Sequence, residues 1–375
     1  MKTGISFLLI AIISILGCKQ SYLPPAIANP PNYLVVEAFL NTNAGENTVI
    51  RLSHTVKLDT PLISPEQGAT VTVEGADNTL YKFDESGNGA YTASLSTLNY
   101  NTSYRLHIVT ATGKQYASDY FPLIASPPID SISFKRMDDD DHKGVTVYAN
   151  THDPQNKTRF YRWEYEETWE FHSAYFANIQ YVPRGMTANY SPNTISTCWH
   201  NDNSTSIILG TSTQLASDVI HEAPLLQIPL NSQQISVRYS ILVKQYALPQ
   251  AAFDWWQILQ KNSEQIGSIF GVQPSANKGN MHCLTDTAEQ VLGFVSGGSV
   301  QSLRTFITID QVRPWFYDPE CADYKVPPIP DSIAFYYSIG YLPWKADFNP
   351  PLTHMAPGRC VDCTLSGTNQ RPYWW

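Results

Sequence analysis

A chain of 375 residues with 43% hydrophobic and only 15% charged positions holds enough apolar material for two ordinary domains with their own cores, which excludes a disordered polymer. Its formal net charge of −9 comes without any cluster of Lys and Arg, so the electrostatic footprint that nucleic acid or anionic headgroups require is missing. No nucleic-acid partner and no cofactor is expected.

The chain starts "MKTGISFLLIAIISILGC", with one Lys, an apolar run from Ile5 to Leu16, and then Gly17 and Cys18. That run is shorter than the roughly 20 residues of a bilayer crossing and has the shape of a signal-peptide core. Ile15-Leu16-Gly17-Cys18 resembles the lipobox of bacterial lipoproteins, which implies cleavage before Cys18 and attachment of a diacylglycerol to its thiol. At about 0.8 kcal/mol per buried methylene, two or three acyl chains would hold the protein on a membrane. Residues 1–17 therefore read as a leader. Residues 18–32, with Pro24, Pro25, Pro30 and Pro31, read as a semi-rigid tether.

From residue 33 to about 125 the text breaks into short strands such as "YLVVEAFL", "ATVTVEG" and "SYRLHIVT", separated by turn residues such as Gly87-Asn88-Gly89. Strands of this length and spacing predict a β-sandwich. Val71 and Val73 alternate with Thr70, Thr72 and Glu74, and Tyr104, Leu106 and Ile108 with Arg105 and His107, so each strand has one face to bury. The pattern resembles small sandwiches of the Ig-like, carboxypeptidase-regulatory-like class, although no Cys…Trp…Cys spacing of a true immunoglobulin domain occurs.

Pro127 and Pro128 in "IASPPIDSISF" deny two backbone donors to any ladder and predict a joint. Residues 129–375 then read as a larger β-rich domain containing "VTVYAN", "RFYRWEYEETWEF" and "ISVRYSILVKQY". One helix is predicted at about 248–266, with Pro249 near its first turn and Gly267 as its stop. Its apolar stripe is Ala252, Trp255, Trp256 and Leu259.

Read together, "YLVVEAFL", "QGATVTVEG", "YRLHIVTATGKQYAS", "YRWEYEETWE", "RYSILVKQYAL", "GSIFGVQPSANKGN" and "CVDCTLSGTNQRPYWW" resemble the lipoprotein family labelled domain of unknown function 4249, found in Bacteroidota. The resemblance implies no agreed activity and no catalytic residues. It does imply a neighbourhood, because such genes often lie beside those for TonB-dependent receptors. The expectation is thus an outer-membrane lipoprotein, a non-catalytic accessory or binding partner of such a receptor, on either the periplasmic face or the cell surface.

Catalytic chemistry finds little support in the residues. No H-E-x-x-H or G-x-S-x-G occurs; His142, His152 and Asp153 are the only close grouping of that kind, and a hydrolase would need a site assembled from distant residues. The acidic run Asp138 to Asp141 reads as a solvated hairpin tip between Phe134 and Val145. Aromatics offer an alternative function, a glycan- or peptide-binding surface using Trp163, Trp255 or Trp256. For Tyr161, Trp163 and Tyr165 a core position is favoured, with Arg162, Glu164 and Glu166 on the wet side.

An exported chain can form disulfides among Cys198, Cys283, Cys321, Cys360 and Cys363, with one thiol left over. A thioredoxin-like pair is not expected in β and loop text, and Cys321 and His354 are the only distant candidates to complete a zinc site with Cys360 and Cys363. The expected framework pairs Cys198 with Cys283, and Cys321 with Cys360 or Cys363, stapling the tail to the second domain. The terminal Tyr373-Trp374-Trp375 also resembles the end of an outer-membrane barrel strand, a reading outweighed by the tethered, sandwich-like design.

Overall fold

The structure is a computed structural model that describes residues 32–56, 63–139, 143–182, 185–188, 192–264 and 279–375. The predicted leader, Cys18 and almost all of the tether lie outside the described residues, as do Asp140 to His142 and Gly267.

Eleven strands open the fold: β1 (Leu34–Glu37), β2 (Phe39–Asn41), β3 (Thr48–His54), β4 (Ser64–Pro65), β5 (Thr70–Gly75), β6 (Leu80–Lys82), β7 (Asp84–Gly87), β8 (Ala90–Ala93), β9 (Ser103–Val109), β10 (Gln115–Ser118) and β11 (Phe121–Pro122). Alternation decides their faces. Tyr104, Leu106 and Ile108 of β9 are buried, whereas Arg105 and His107 point outward to Glu74 of β5 at 2.7 and 3.3 Å. One sheet runs β1-β3-β8-β7 and a second β10-β9-β5-β6. Leu34, Ile50, Leu52 and Tyr91 from the first meet Val71, Val73, Leu106 and Tyr116 from the second in one core.

After Pro127-Pro128 come β12 (Ile129–Met137), β13 (Gly144–His152), β14 (Phe160–His172), β15 (Ile179–Val182), β16 (Gly185–Ala188), β17 (Thr197–Asn203), β18 (Ile208–Thr211), β19 (Val219–Pro229), β20 (Arg238–Ala247) and helix α1 (Gln250–Glu264). The predicted hairpin is present, with Met137 opposite Gly144. Sheet β12-β13-β19 shares a core with sheet β17-β14-β20, so that Val145, Val147 and Ile228 pack with Tyr161, Trp163, Tyr239 and Ile241. Trp163 is only 1% exposed; its Nε1 donates to Gln245 Oε1 at 2.9 Å. Its ring lies where a Cβ on Gly210 would come within 2.5 Å, which is why β18 carries glycine there.

The chain then turns back. β21 (Met281–Cys283), β22 (Val291–Leu292) and β23 (Ser296–Gly298) pair with β10, β1 and β2 of the first region, and Met281, Cys283, Val291 and Val295 join its core. A division at about 125 is therefore incomplete: residues 281–298, expected within the second domain, finish the first. Sequence order hid this, because strands this short lack a legible partner. β24 (Val300–Thr308) returns to the second region beside β20.

The junction is thus crossed three times and is tightly bonded. Ile124 N donates to Gly297 O at 3.0 Å, and a Cβ on Gly298 would lie 1.7 Å from Ile124 O, so only glycine permits that approach. Buried Gln245 donates from Nε2 to Pro127 O and Thr151 Oγ1 at 2.8 and 3.1 Å.

A third, smaller body follows from β25 (Tyr324–Val326), α2 (Pro330–Ser338), β26 (Tyr341–Phe348), β27 (Pro351–Pro357) and α3 (Gly358–Val361), with the sheet order β25-β27-β26. Two disulfides tie it down, Cys321–Cys360 and Cys198–Cys363. The expected Cys198–Cys283 pair does not form, for a physical reason. Cys283 sits in the first core, with its sulfur 3.4 Å from Thr285 Oγ1, whereas Cys198 lies on β17 in the second. Among the described residues Cys283 is the free thiol, and it is buried. The tail continues as an antiparallel bridge between Thr368 and Trp199.

Candidate functional site

The side of β14 predicted to be wet is not simply wet. Arg162 and Glu164 on β14, and Lys244 and Tyr246 on β20, face a cleft of about 550 Å³. Its opposite wall is the first region, with Glu37, Phe39, Asn41, Thr48 and Arg51, and its end is closed by Trp255 and Trp256 of α1 and by Phe294 and Ser296. That size falls in the usual range of about 300–1,000 Å³ for ligand sites, and junctions between domains are a usual location.

Arg162 is the centre of the arrangement. Its guanidinium carbon lies 4.4 Å from the ring centroids of both Tyr246 and Trp256, so two aromatic faces hold the cation by their quadrupoles. Its Nη1 donates to Glu164, while its buried Nε has no hydrogen-bond partner. Glu164 also accepts from Tyr246 Oη at 2.7 Å. Burial pushes the Glu164 carboxyl up, but Arg162, Tyr246 and Lys244 together hold it below its ordinary value. Tyr246 is pushed up by burial and by the Glu164 charge, so it stays a neutral donor.

The aromatic frame is stiff. Phe39 meets Tyr246 edge-on at 4.9 Å across the junction, Trp255 meets Trp256 edge-on at 4.8 Å, and Phe294 lies 6.1 Å from Trp255. Lys244 bonds Glu166 at 2.5 Å in a half-exposed pair of the kind that contributes about 0–1 kcal/mol. A smaller cavity of about 190 Å³ shares Glu164 and Lys244 and extends along β14 past Asn203 and Ser204.

Of the three tryptophans expected as binding aromatics, the structure brings two together. Trp255 and Trp256 are half-buried and line the cleft, but Trp163 is core and points the other way. Arg162, Glu164, Lys244, Arg51, Tyr246 and Phe294 were missed. The legible signal was Tyr246, an aromatic on the same face of β20 as Arg238, Ser240 and Lys244.

The remaining candidates are structural. Asp138 is paired with Arg136 at 2.9 Å. His152 bonds Asp130 at 2.8 Å, and Asp153 accepts three backbone N–H groups of its own turn. Cys321 is held in its disulfide. His354 is bracketed by Asp323 at 2.7 Å and Asp347 at 2.8 Å, which uses both ring nitrogens. Among the described residues no group of three or more His, Cys, Asp or Glu is placed to hold a metal ion. Trp374 and Trp375 are folded onto the protein's own sheet: Arg304 lies 3.4 Å from the Trp374 ring, and Trp375 Nε1 donates to Glu170 at 3.1 Å.

No curated protein matches the chain. A family model described as a domain of unknown function, DUF4249, matches residues 20–304, a span that includes every residue lining the cleft and leaves the disulfide-tied third body outside. On that match, over three quarters of its length, the chain belongs to the DUF4249 family.

Proposed function

We propose that this protein is a lipid-anchored, non-catalytic binding protein of the outer membrane, that the junction cleft is where it binds, and that it works beside a TonB-dependent receptor. The observation that carries the reading is Arg162, held between the rings of Tyr246 and Trp256 in a cleft whose walls come from two regions joined by three chain crossings. Pre-organised charged and aromatic groups of this kind favour binding, since little ordering cost remains when a partner arrives. The lining contains no histidine and no cysteine; of its two carboxylates Glu164 is committed to Arg162 and Tyr246, and Glu37 lies exposed at a strand position beside Arg51, with no partner among the described residues that would tune it as a general base. The membrane anchor rests on Cys18 and the lipobox; the receptor rests on the family resemblance.

Gentle crosslinking of cells at native expression, followed by capture of this chain, tests the reading. A TonB-dependent receptor is expected in the captured material, and its yield is expected to fall with Trp256→Ala. Capture of the intact lipoprotein with no receptor would overturn the partnership.

A further inference from the structure

Resting on the cleft as the ligand site, we propose that its ligand carries a single carboxylate, received by Arg51, Arg162 and Lys244 beside the aromatic wall of Trp255 and Phe294. Three cations from three strands, β3, β14 and β20, converge on one cavity with two carboxylates, Glu37 and Glu164. Glu164 is already engaged by Arg162 and Tyr246. Arg51 makes no ion pair among the described residues, although Glu37 is its cross-strand neighbour. With Arg162 answered by Glu164 and Lys244 by Glu166, Arg51 is the one of the three cations left open to a ligand, which suits a monoanion and disfavours a polyanion that would meet Glu37 and Glu166.

The aromatic groups exclude the opposite ligand. A cage of Tyr and Trp commonly receives a cation, but here Arg162 occupies the space between Tyr246 and Trp256. The same contact covers one face of each ring against a stacked sugar. What the cage presents instead is a positioned guanidinium, whose planar donor set matches a carboxylate. Lys244 can turn from Glu166, because that half-exposed pair holds it weakly. The adjoining cavity beyond Glu164 and Lys244 leaves room for the ligand to continue along β14.

A carboxylate beside an apolar body could come from a peptide C-terminus or from a uronic acid sugar, and the test separates these sources. The full processed chain is titrated, by calorimetry and tryptophan fluorescence, with the free acid of acetyl-Gly-Phe-Phe and its C-terminal amide. Parallel titrations use a disaccharide with one glucuronic acid and its neutral glucose counterpart. At least one acid is expected to bind about tenfold or more tighter than its neutral match, as charged hydrogen bonds imply, and to weaken as salt rises. Arg51→Gln and Lys244→Gln, both at exposed or half-exposed positions, should each reduce that preference without unfolding the chain; Arg162→Met should abolish it. The acid that wins identifies the source. Neutral and acid probes binding equally, in a manner lost with Trp256→Ala, would overturn the carboxylate while leaving the cleft as a site. No binding by either acid, or a preference untouched by Arg51→Gln and Lys244→Gln together, would also overturn it.

Discussion

His354 illustrates how much a single side chain can be asked to do in a small sheet. Burial by itself pushes the imidazole down, but its hydrogen bonds to the carboxylates of Asp347 and Asp323 more than offset this and leave its pKa raised. Asp347 is held down to about 2, first by Lys345 and then by His354. For the histidine, a raised folded pKa means stabilisation fully present below its ordinary value near 6.5 and lost as pH rises through the folded pKa. For the aspartate, stabilisation is present above its ordinary value near 3.8 and lost as pH falls towards 2. The clamp is thus strongest from about pH 4 to about 6.5. Thermal melts at pH 5.5 and 8.5 should show a drop on the alkaline side that shrinks in His354→Gln; an unchanged drop would reject the clamp.

Two tryptophans separate structure from binding at the same scale. Trp163→Ala removes a buried ring and its bond to Gln245, a loss of about 3–5 kcal/mol. Trp256→Ala, at a half-buried position on α1, should cost less stability and act on binding. Denaturant unfolding of both variants checks this order, and equal losses would contradict it. Cysteine mapping under non-reducing conditions should return Cys198–Cys363 and Cys321–Cys360, with Cys283 as a thiol that reacts only after unfolding. Closure of the long Cys198–Cys363 loop should contribute about 2–4 kcal/mol or somewhat more.

Among the elements, those with strong local periodicity were readable and those defined by distant partners were not. β9, β14 and β20 declared their buried faces through period-two alternation, and α1 declared itself through Pro249 and its helical stripe. β21, β22 and β23 are two or three residues long, too short for a period to show, and their place is set by edges that lie more than 160 residues earlier in the chain. The same gap misdirected the cysteine pairing. The site suffered differently: Arg162 and Glu164 were placed on the right face of β14, but what faces them comes from β1 to β3 and from α1. A fragment of residues 33–128 should therefore fail to fold. It lacks Met281, Cys283, Val291 and Val295 from its core, and at about 1.5–3 kcal/mol each the loss rivals a whole domain's stability of about 5–15 kcal/mol. Linking residues 279–298 to that fragment should restore a folded protein with dispersed amide NMR signals. A well-folded fragment without them would refute this view of the junction.

For the whole molecule, two β regions are joined so that neither is complete alone, and the cleft lies along that joint. Three crossings and the buried Gln245 bonds make the junction one packed unit, so the cleft's shape is set before any partner arrives. The third body, tied by two disulfides, holds the tail and lays Trp374 and Trp375 over the same sheet whose other end forms the cleft wall. The claim that this cleft is the working surface is tested most directly by a photo-crosslinking residue at Val49, which is 42% exposed and lines it, compared with one at Leu80, 65% exposed on β6 in the other sheet. On illumination of intact cells, Val49 should yield a discrete covalent adduct that disappears with Trp256→Ala, and Leu80 should yield none. Adducts from Leu80 with none from Val49 would contradict the account.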